Sequence, residues 1–174
     1  MINKDNFKIL LQKLGFSIKG DDYIKDFPQI DASLKVDFKA SKLIYPEDKG
    51  FKVNEKQTCN FSQNENFVVF ECVHRLFEKG YKPQHIELEP RWKVGHGASG
   101  GRADIMVKDN SDKALLIIEC KTEGNEFKDA WKKTLINGGQ LLSYVKQAGS
   151  TQFVCLYASD LCDEKIVYDY RLIT

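Results

Sequence analysis

Hydrophobic residues near the N-terminus recur at the spacing of an amphipathic helix. Phe7, Leu10, Leu11 and Leu14 follow an i, i+3, i+4, i+7 pattern, and Gly15 supplies a helix stop signal. This spacing predicts a folded amphipathic helix, with a partner-binding helix as the alternative.

The pattern then changes to the period of two that is typical of β-strands. Leu34, Val36 and Phe38 alternate with charged neighbours. Residues 46–50 carry a turn signal, and residues 51–53 are predicted to return as the second arm of a hairpin. The N-terminal part of the chain is therefore predicted as a helix followed by β structure.

A longer, well-buried helix is predicted over residues 62–80. Ser62 and Glu65 have the spacing of a capping box, and Gly80 is a stop signal. Apolar residues cover much of the circumference of this segment, which is typical of a buried helix.

The rest of the chain is predicted to contain five strands and one more helix. The strands are expected over residues 86–94, around Asp104, and over 114–121, 153–158 and 166–173. The helix is expected over residues 127–147, interrupted near 137–139. This order predicts an α/β fold in which helices cover the faces of a mixed sheet.

Composition narrows the class of protein. The 174 residues are 42% hydrophobic and 29% charged, which is ordinary for a soluble globular protein, and we expect one compact domain. No apolar run approaches the roughly 20 residues that cross a bilayer, and the N-terminus lacks a secretory signal. We therefore expect no membrane partner. Five cysteines without a CxxC pair indicate free thiols, which predicts a cytoplasmic protein.

Two acidic residues and a lysine fall on consecutive predicted strands. Asp104 lies in one apolar run, and Glu119 and Lys121 close the next. Glu119 and Lys121 share a face because they are two apart, whereas Cys120 points to the core and leaves only its carbonyl for a metal. Asp104, Glu119 and this carbonyl form a candidate Mg²⁺ site, with Lys121 orienting a water. A solvated ion pair at the end of a strand is the alternative.

Charge and glycine patterns add less. A net charge of +1 means that any DNA affinity must come from a local patch or from other parts of a larger protein. Lys128, Lys132 and Lys133 form either a solvated helix face or such a patch. Residues 95–100 match GxGxxG, but a strand and not a helix is predicted to follow, which favours a hairpin loop over a dinucleotide site.

Two segments carry a family resemblance. Residues 102–104 together with residues 117–121 resemble the PD-(D/E)xK nuclease superfamily, with Ala103 in place of the proline. Gln140 and Tyr144 resemble the Gln-x-x-x-Tyr element of its RecB-like and type I restriction branch. Residues 60–160 are similar to the N-terminal nuclease domain of type I restriction enzyme R subunits and of related single-chain restriction–modification enzymes.

The resemblance implies a restriction-endonuclease-like mixed sheet flanked by helices and Mg²⁺-dependent cleavage of double-stranded DNA, with Mn²⁺ as a possible substitute. The implied metal ligands are Asp104, Glu119 and the carbonyl of Cys120. The implied catalytic set comprises Asp104, Glu119, Lys121, Gln140, Tyr144 and a helix carboxylate, Glu65 or alternatively Glu71.

The resemblance also implies a larger assembly. Residues 1–59 are expected to pack as a helix and hairpin on a nuclease core of residues 60–174. A helicase, translocase or methyltransferase region is expected beyond residue 174, with specificity regions in the same polypeptide or complex. The alternatives are a catalytically silent nuclease fold that serves DNA binding or assembly, and a nuclease of DNA repair.

Overall fold

The computed structural model describes residues 1–91, 102–137 and 149–174. The helices in these ranges are α1 (Phe7–Lys13), α2 (Asn64–Glu78) and α3 (Asn125–Asn137). The first four strands are β1 (Ser17–Lys19), β2 (Asp22–Phe27), β3 (Ala32–Asp37) and β4 (Lys42–Ile44). They are followed by β5 (Lys52–Val53), β6 (Ile86–Leu88), β7 (Ile105–Lys108), β8 (Ala114–Cys120), β9 (Phe153–Cys162) and β10 (Lys165–Ile173).

The described strands form two sheets. The first is antiparallel, with the order β1-β2-β3-β4. The second is mixed, with the order β10-β9-β8-β7-β6-β5, and its parallel pairs are β8 with β9 and β5 with β6. The predicted α/β class, a mixed sheet flanked by helices with an N-terminal helix and β extension, is confirmed.

The predicted partner of the first hairpin arm was wrong. Val36 lies opposite Tyr23 and Leu43, so β3 pairs with β2 and β4 and not with residues 51–53. Instead, β5 joins the second sheet beside β6. A helical turn that ends at Gly50, in the left-handed region at φ +89°, carries the chain from one sheet to the other.

Two predicted boundaries also change. The strand predicted over residues 86–94 ends at Leu88, because Glu89 adopts a left-handed backbone with φ +49°. The last predicted helix begins at Asn125 and is described to Asn137. Its predicted continuation to residue 147 lies outside the described residues.

Helix α2 is buried on two sides, as its sequence predicted. On one side, Phe70 packs its ring against those of Phe7, Phe16 and Tyr45, from α1 and the segments around the first sheet. On the other side α2 contacts β8 and β9 of the second sheet. The helix therefore lies between the N-terminal elements and the mixed sheet.

The opposite face of the mixed sheet is covered by α3. Ile117, Val154, Leu156 and Phe127 form a small apolar cluster there. Along β8, consecutive side chains alternate between this cluster and the α2 side. Near the turn that joins β7 to β8, Leu115 is an extra residue, because the pairing shifts from 107↔116 to 108↔114.

Among the described residues, His74 is the only histidine whose ring is buried in the α2 core. It lies against the rings of Phe16 and Phe27, and Lys25 Nζ donates to its Nε2 at 2.7 Å. Burial, together with the Lys25 charge, lowers the pKa of His74 to about 4. The ring is therefore neutral near pH 7.

We expect this histidine to make the fold sensitive to acid. The unfolded chain takes up a proton near pH 6.5 and the folded chain only near pH 4, so this part of the stability is lost as the pH falls through that window. The contribution of His74 to the free energy of unfolding, taken as the difference between the wild type and a variant without this histidine, should drop by roughly 2 kcal/mol between about pH 7 and about pH 5. Urea unfolding at several pH values measures it. His74→Gln should flatten this dependence, whereas His85→Gln, outside the core, should keep it.

The state of the cysteines and the lengths of the helices complete the description of the fold. All five cysteines are free, and Cys72, Cys120 and Cys155 are buried. None of the helices in the described ranges is long and apolar enough to cross a membrane.

Candidate active site

Strand pairing brings the two predicted carboxylates together. The register of β7 against β8 pairs Ile105 with Ile118, so the next position beyond β7 sets Asp104 opposite Glu119. The backbone N–H of Cys120 donates to Oδ2 of Asp104 at 2.6 Å, which holds this carboxylate against the end of β8. Asp104 and Glu119 therefore lie opposite each other, where β7 begins and β8 ends.

Lys121 lies between two carboxylates. Its Nζ is 2.9 Å from Oε1 of Glu119 and 3.2 Å from Oε2 of Glu65. Its backbone N–H donates to the carbonyl of Tyr157 at 2.8 Å, which anchors the residue to β9 just after β8 ends. The structure thus brings Glu65, from the first turn of α2, to the predicted Glu119–Lys121 pair.

The capping-box interpretation of Ser62 and Glu65 was wrong. Helix α2 begins one residue before Glu65, and its N-cap residue, Gln63, makes no side-chain cap hydrogen bond. The Glu65 carboxylate binds Lys121 and is not used to cap the helix. The Glu65 side chain therefore forms an ion pair with a residue distant in sequence, in place of the predicted contact within the helix N-terminus.

Glu71, the alternative helix carboxylate, has other partners. It is buried, accepts a hydrogen bond from the Tyr157 hydroxyl at 2.6 Å, and lies 3.4 Å from Nη2 of Arg75. These contacts hold it within the packing of α2 against β9. Of the two candidates, Glu65 is the one that reaches Lys121.

The charges of this group strongly influence one another. Burial, followed by the nearby charge of Glu119, raises the pKa of Asp104 well above its usual range. Burial alone would lower the pKa of Lys121, but Glu119, Asp104 and Glu65 outweigh it and raise that pKa above its usual value. Lys121 is therefore held as an ammonium ion among carboxylates.

Glu89 is a member of this neighbourhood that the sequence did not indicate. The register that pairs Leu88 with Ile105 continues to Glu89 and Asp104, and the Glu89 N–H donates to the Asp104 carbonyl at 3.0 Å. Burial raises the pKa of Glu89, and the charge of Glu119 adds to this effect. Glu89, Asp104 and Glu119 thus occupy one row across β6, β7 and β8.

An open cavity of about 400 Å³ adjoins this row, between the end of β8 and α3. Its polar lining consists of Glu65, Glu119, Lys121, Glu126, Asp129, Lys133 and Thr134. The predicted lysine patch is exposed on α3, and its member Lys133 reaches the cavity wall. The cavity therefore combines carboxylates with cationic side chains at its edge.

The carboxylates suit a hard divalent cation with few protein ligands. In the described ranges, no group of three or more His, Cys, Asp or Glu side chains is arranged to enclose a metal ion. Mg²⁺, however, is commonly held by one or two carboxylates and keeps several waters. Burial and the charge of Glu119 both raise the pKa of Asp104, and a cation beside Asp104 and Glu119 would relieve the repulsion between the two carboxylates.

Some predicted residues fall outside this description. Gln140, Tyr144 and the glycine-rich segment 95–100 lie outside the described residues. The side chain of Cys120 is buried in the α2 core, as predicted. The role of its carbonyl as a metal ligand stays a prediction.

The site coincides with a known family. The family model for the type I restriction enzyme R protein N terminus matches residues 64–156, just over half of the chain. The match begins with α2 and ends in β9, so it contains Glu65, Asp104, Glu119 and Lys121. No curated protein matches the chain. Because the family model covers more than half of its length, the chain belongs to the family of type I restriction enzyme R protein N-terminal domains.

Proposed function

We propose that the chain is a PD-(D/E)xK endonuclease domain that hydrolyses phosphodiester bonds of double-stranded DNA. One observation carries this proposal: the Lys121 ammonium group contacts Glu119 and Glu65 while Asp104 lies opposite Glu119. The carboxylates supply negative charge that can hold a metal ion, and the lysine supplies positive charge that can stabilise the phosphate. Both lie beside an open cavity.

Lys121 has two roles in this proposal. Its ammonium group orients the attacking water, and it offsets the negative charge that develops on the phosphate in the transition state. Its contacts with Glu119 and Glu65 hold the amine in a fixed position, because a long lysine side chain otherwise samples many rotamers. The raised pKa of Lys121 keeps it charged at neutral pH.

Asp104 and Glu119 are the residues that would hold Mg²⁺, or Mn²⁺ in its place. When bound, the ion polarises a phosphoryl oxygen and lowers the pKa of a coordinated water. The Cys120 N–H bond to Asp104 orients that carboxylate, so its position depends on the end of β8. Glu65 is proposed to position Lys121, and Gln140 and Tyr144 are proposed as further members of the catalytic set.

The family membership sets the biological context of the proposal. A type I restriction enzyme N-terminal domain would act on DNA together with translocase or methyltransferase and specificity regions, in the same polypeptide or complex. The exposed lysines of α3 would contact phosphates of the DNA backbone. Phosphate contacts fix the orientation of a protein on the duplex but carry no sequence information. Sequence recognition is therefore assigned to those other regions.

Asp104→Asn tests the proposal. Plasmid nicking by the purified chain with Mg²⁺ or Mn²⁺ should fall by about 10²-fold or more, because a neutral amide is a poorer ligand for the ion than a carboxylate. Mn²⁺ binding, followed by electron paramagnetic resonance, should weaken in the same variant. This second readout does not depend on turnover.

The matched control is Asp112→Asn, in the exposed turn between β7 and β8. It should nick DNA and bind Mn²⁺ like the wild type. Nicking that survives Asp104→Asn would contradict the proposal. Mn²⁺ binding that depends on Asp104, without cleavage under any condition, would favour the silent DNA-binding module instead.

A further inference from the structure

Two arginines beside the site share one carboxylate oxygen. Nη1 of Arg102 lies 2.8 Å from Oε1 of Glu55, and Nη2 of Arg91 contacts the same oxygen. Both arginine side chains remain largely exposed, at 65% for Arg91 and 53% for Arg102, whereas Glu55 is 28% exposed. Their guanidinium groups therefore converge at the protein surface.

This cluster adjoins the candidate active site. Arg102 is two residues before Asp104, and Glu55 follows β5, which pairs with β6. The Arg102 charge acts on Glu89, which in turn lies within electrostatic range of Glu119. The arginines thus lie at the end of the same row of strands that carries the carboxylates.

Charge explains what such a pair can bind. The carboxylates of Glu65, Glu89, Asp104 and Glu119 repel an approaching phosphodiester, so a DNA strand needs cationic contacts next to them. A guanidinium group presents a planar fork of donors that fits phosphate oxygens. Two such groups on one carboxylate oxygen are already spaced to share an anionic oxygen.

We propose that Arg91 and Arg102 form a phosphate clamp that seats the DNA backbone beside Asp104, with Glu55 holding both guanidinium groups until a phosphate displaces it. The proposal rests on the proposed function, since the anion is the substrate of the nuclease. It adds a second local cationic patch, beside the lysines of α3, to a chain whose net charge is only +1. Arg91 and Arg102 act as positioning residues, away from the bond that breaks.

A purely structural role gives a different pattern. If the arginines only fasten Glu55 to β6 and β7, the loss of Glu55 and the loss of an arginine should change DNA binding in the same direction. If they bind phosphate, Glu55 competes with DNA, and its removal should have the opposite effect. The sign of the Glu55 effect therefore separates the two roles.

The experiment measures binding separately from cleavage. Fluorescence anisotropy of a labelled DNA duplex is recorded with Ca²⁺ in place of Mg²⁺, over a series of salt concentrations. Arg91→Gln and Arg102→Gln should each weaken binding about eightfold at about 0.1 M salt and reduce the slope of log K against log[salt] by about 0.9. Glu55→Gln should strengthen binding several-fold.

Two further variants complete the design. Arg171→Gln removes a matched guanidinium that pairs with Asp169 on β10, at the other edge of the sheet, and should leave the salt slope unchanged. Arg102→Lys retains the charge and should retain the slope, even if the glutamine variant folds poorly. Circular dichroism melting of each variant reports on folding.

Several results would overturn the clamp. They are an absence of duplex binding by the wild type, an unchanged salt slope in both arginine variants, or a Glu55→Gln variant that weakens binding as the arginine variants do. Arginine-dependent binding without any cleavage would leave the clamp standing and defeat the nuclease proposal. Cleavage that needs Asp104 but not the arginines would do the reverse.

Discussion

Replacing Lys121 by methionine is expected to lower the rate of DNA cleavage by about 10²–10³-fold while the chain stays folded. Methionine has a similar length but no charge, so the water loses its orienting group and the phosphate loses its positive neighbour. Cleavage is measured by plasmid nicking under single-turnover conditions, so that slow product release does not mask the loss. Anisotropy with Ca²⁺ measures duplex binding, which should change far less than the rate.

Lys113→Met is the matched control for this variant. Lys113 is exposed and directly precedes the first residue of β8, at the end of the strand away from Glu119. The Lys113→Met variant should cleave DNA at the wild-type rate. Equal rates for Lys121→Met and wild type would remove Lys121 from the mechanism. A rate loss accompanied by an equally large loss of binding would make Lys121 a DNA-binding residue and not a catalytic one.

The largest expected effect on stability is that of Phe70→Ala. The side chain is fully buried in the middle of α2, against rings of the N-terminal elements. Its truncation removes apolar contacts and leaves a cavity that rigid neighbours fill only in part. The free energy of unfolding should fall by about 3–5 kcal/mol, as a lower urea midpoint with an unchanged slope.

Leu135→Ala provides the comparison. This leucine lies on α3 and is 68% exposed, so its truncation should change the free energy of unfolding by about 0.5 kcal/mol or less. Similar losses in the two variants would contradict the packing of α2 between two layers. A change in the urea slope of Phe70→Ala would indicate instead that the layers no longer unfold together.

The sequence predicted the types of the elements better than their partners. The spacing of Phe7, Leu10 and Leu11 predicted α1 correctly, and the apolar surface of α2 predicted its burial. The period of two around Val36 told which side chains share a face, but carried no information on which strand lies beside it. Short strands such as β4 and β5 offer too few residues for any period.

In the candidate site too, the sequence predicted contacts between neighbouring strands better than contacts between distant segments. The proximity of Asp104, Glu119 and Lys121 could be predicted because strand periodicity and their spacing set their faces. Glu65 was one of two helix carboxylates that the family resemblance suggested, although a local capping pattern offered a competing interpretation. Contacts between distant segments, such as that of Glu55 with Arg102, depend on how strands β5 to β7 are ordered, which the sequence alone does not express.

The extra residue in β8 makes the position of the carboxylates independent of the length of the turn between β7 and β8. The side chains of a strand alternate, so a slip of β8 by one position would turn Glu119 into the α2 core and bring Cys120 to the cavity. The irregularity at Leu115 lies at the turn end of the strand, while the pairs from 107↔116 to 105↔118 stay regular toward Asp104. We therefore expect insertions or deletions near residues 109–113 to be accommodated at the bulge without displacing the carboxylate row.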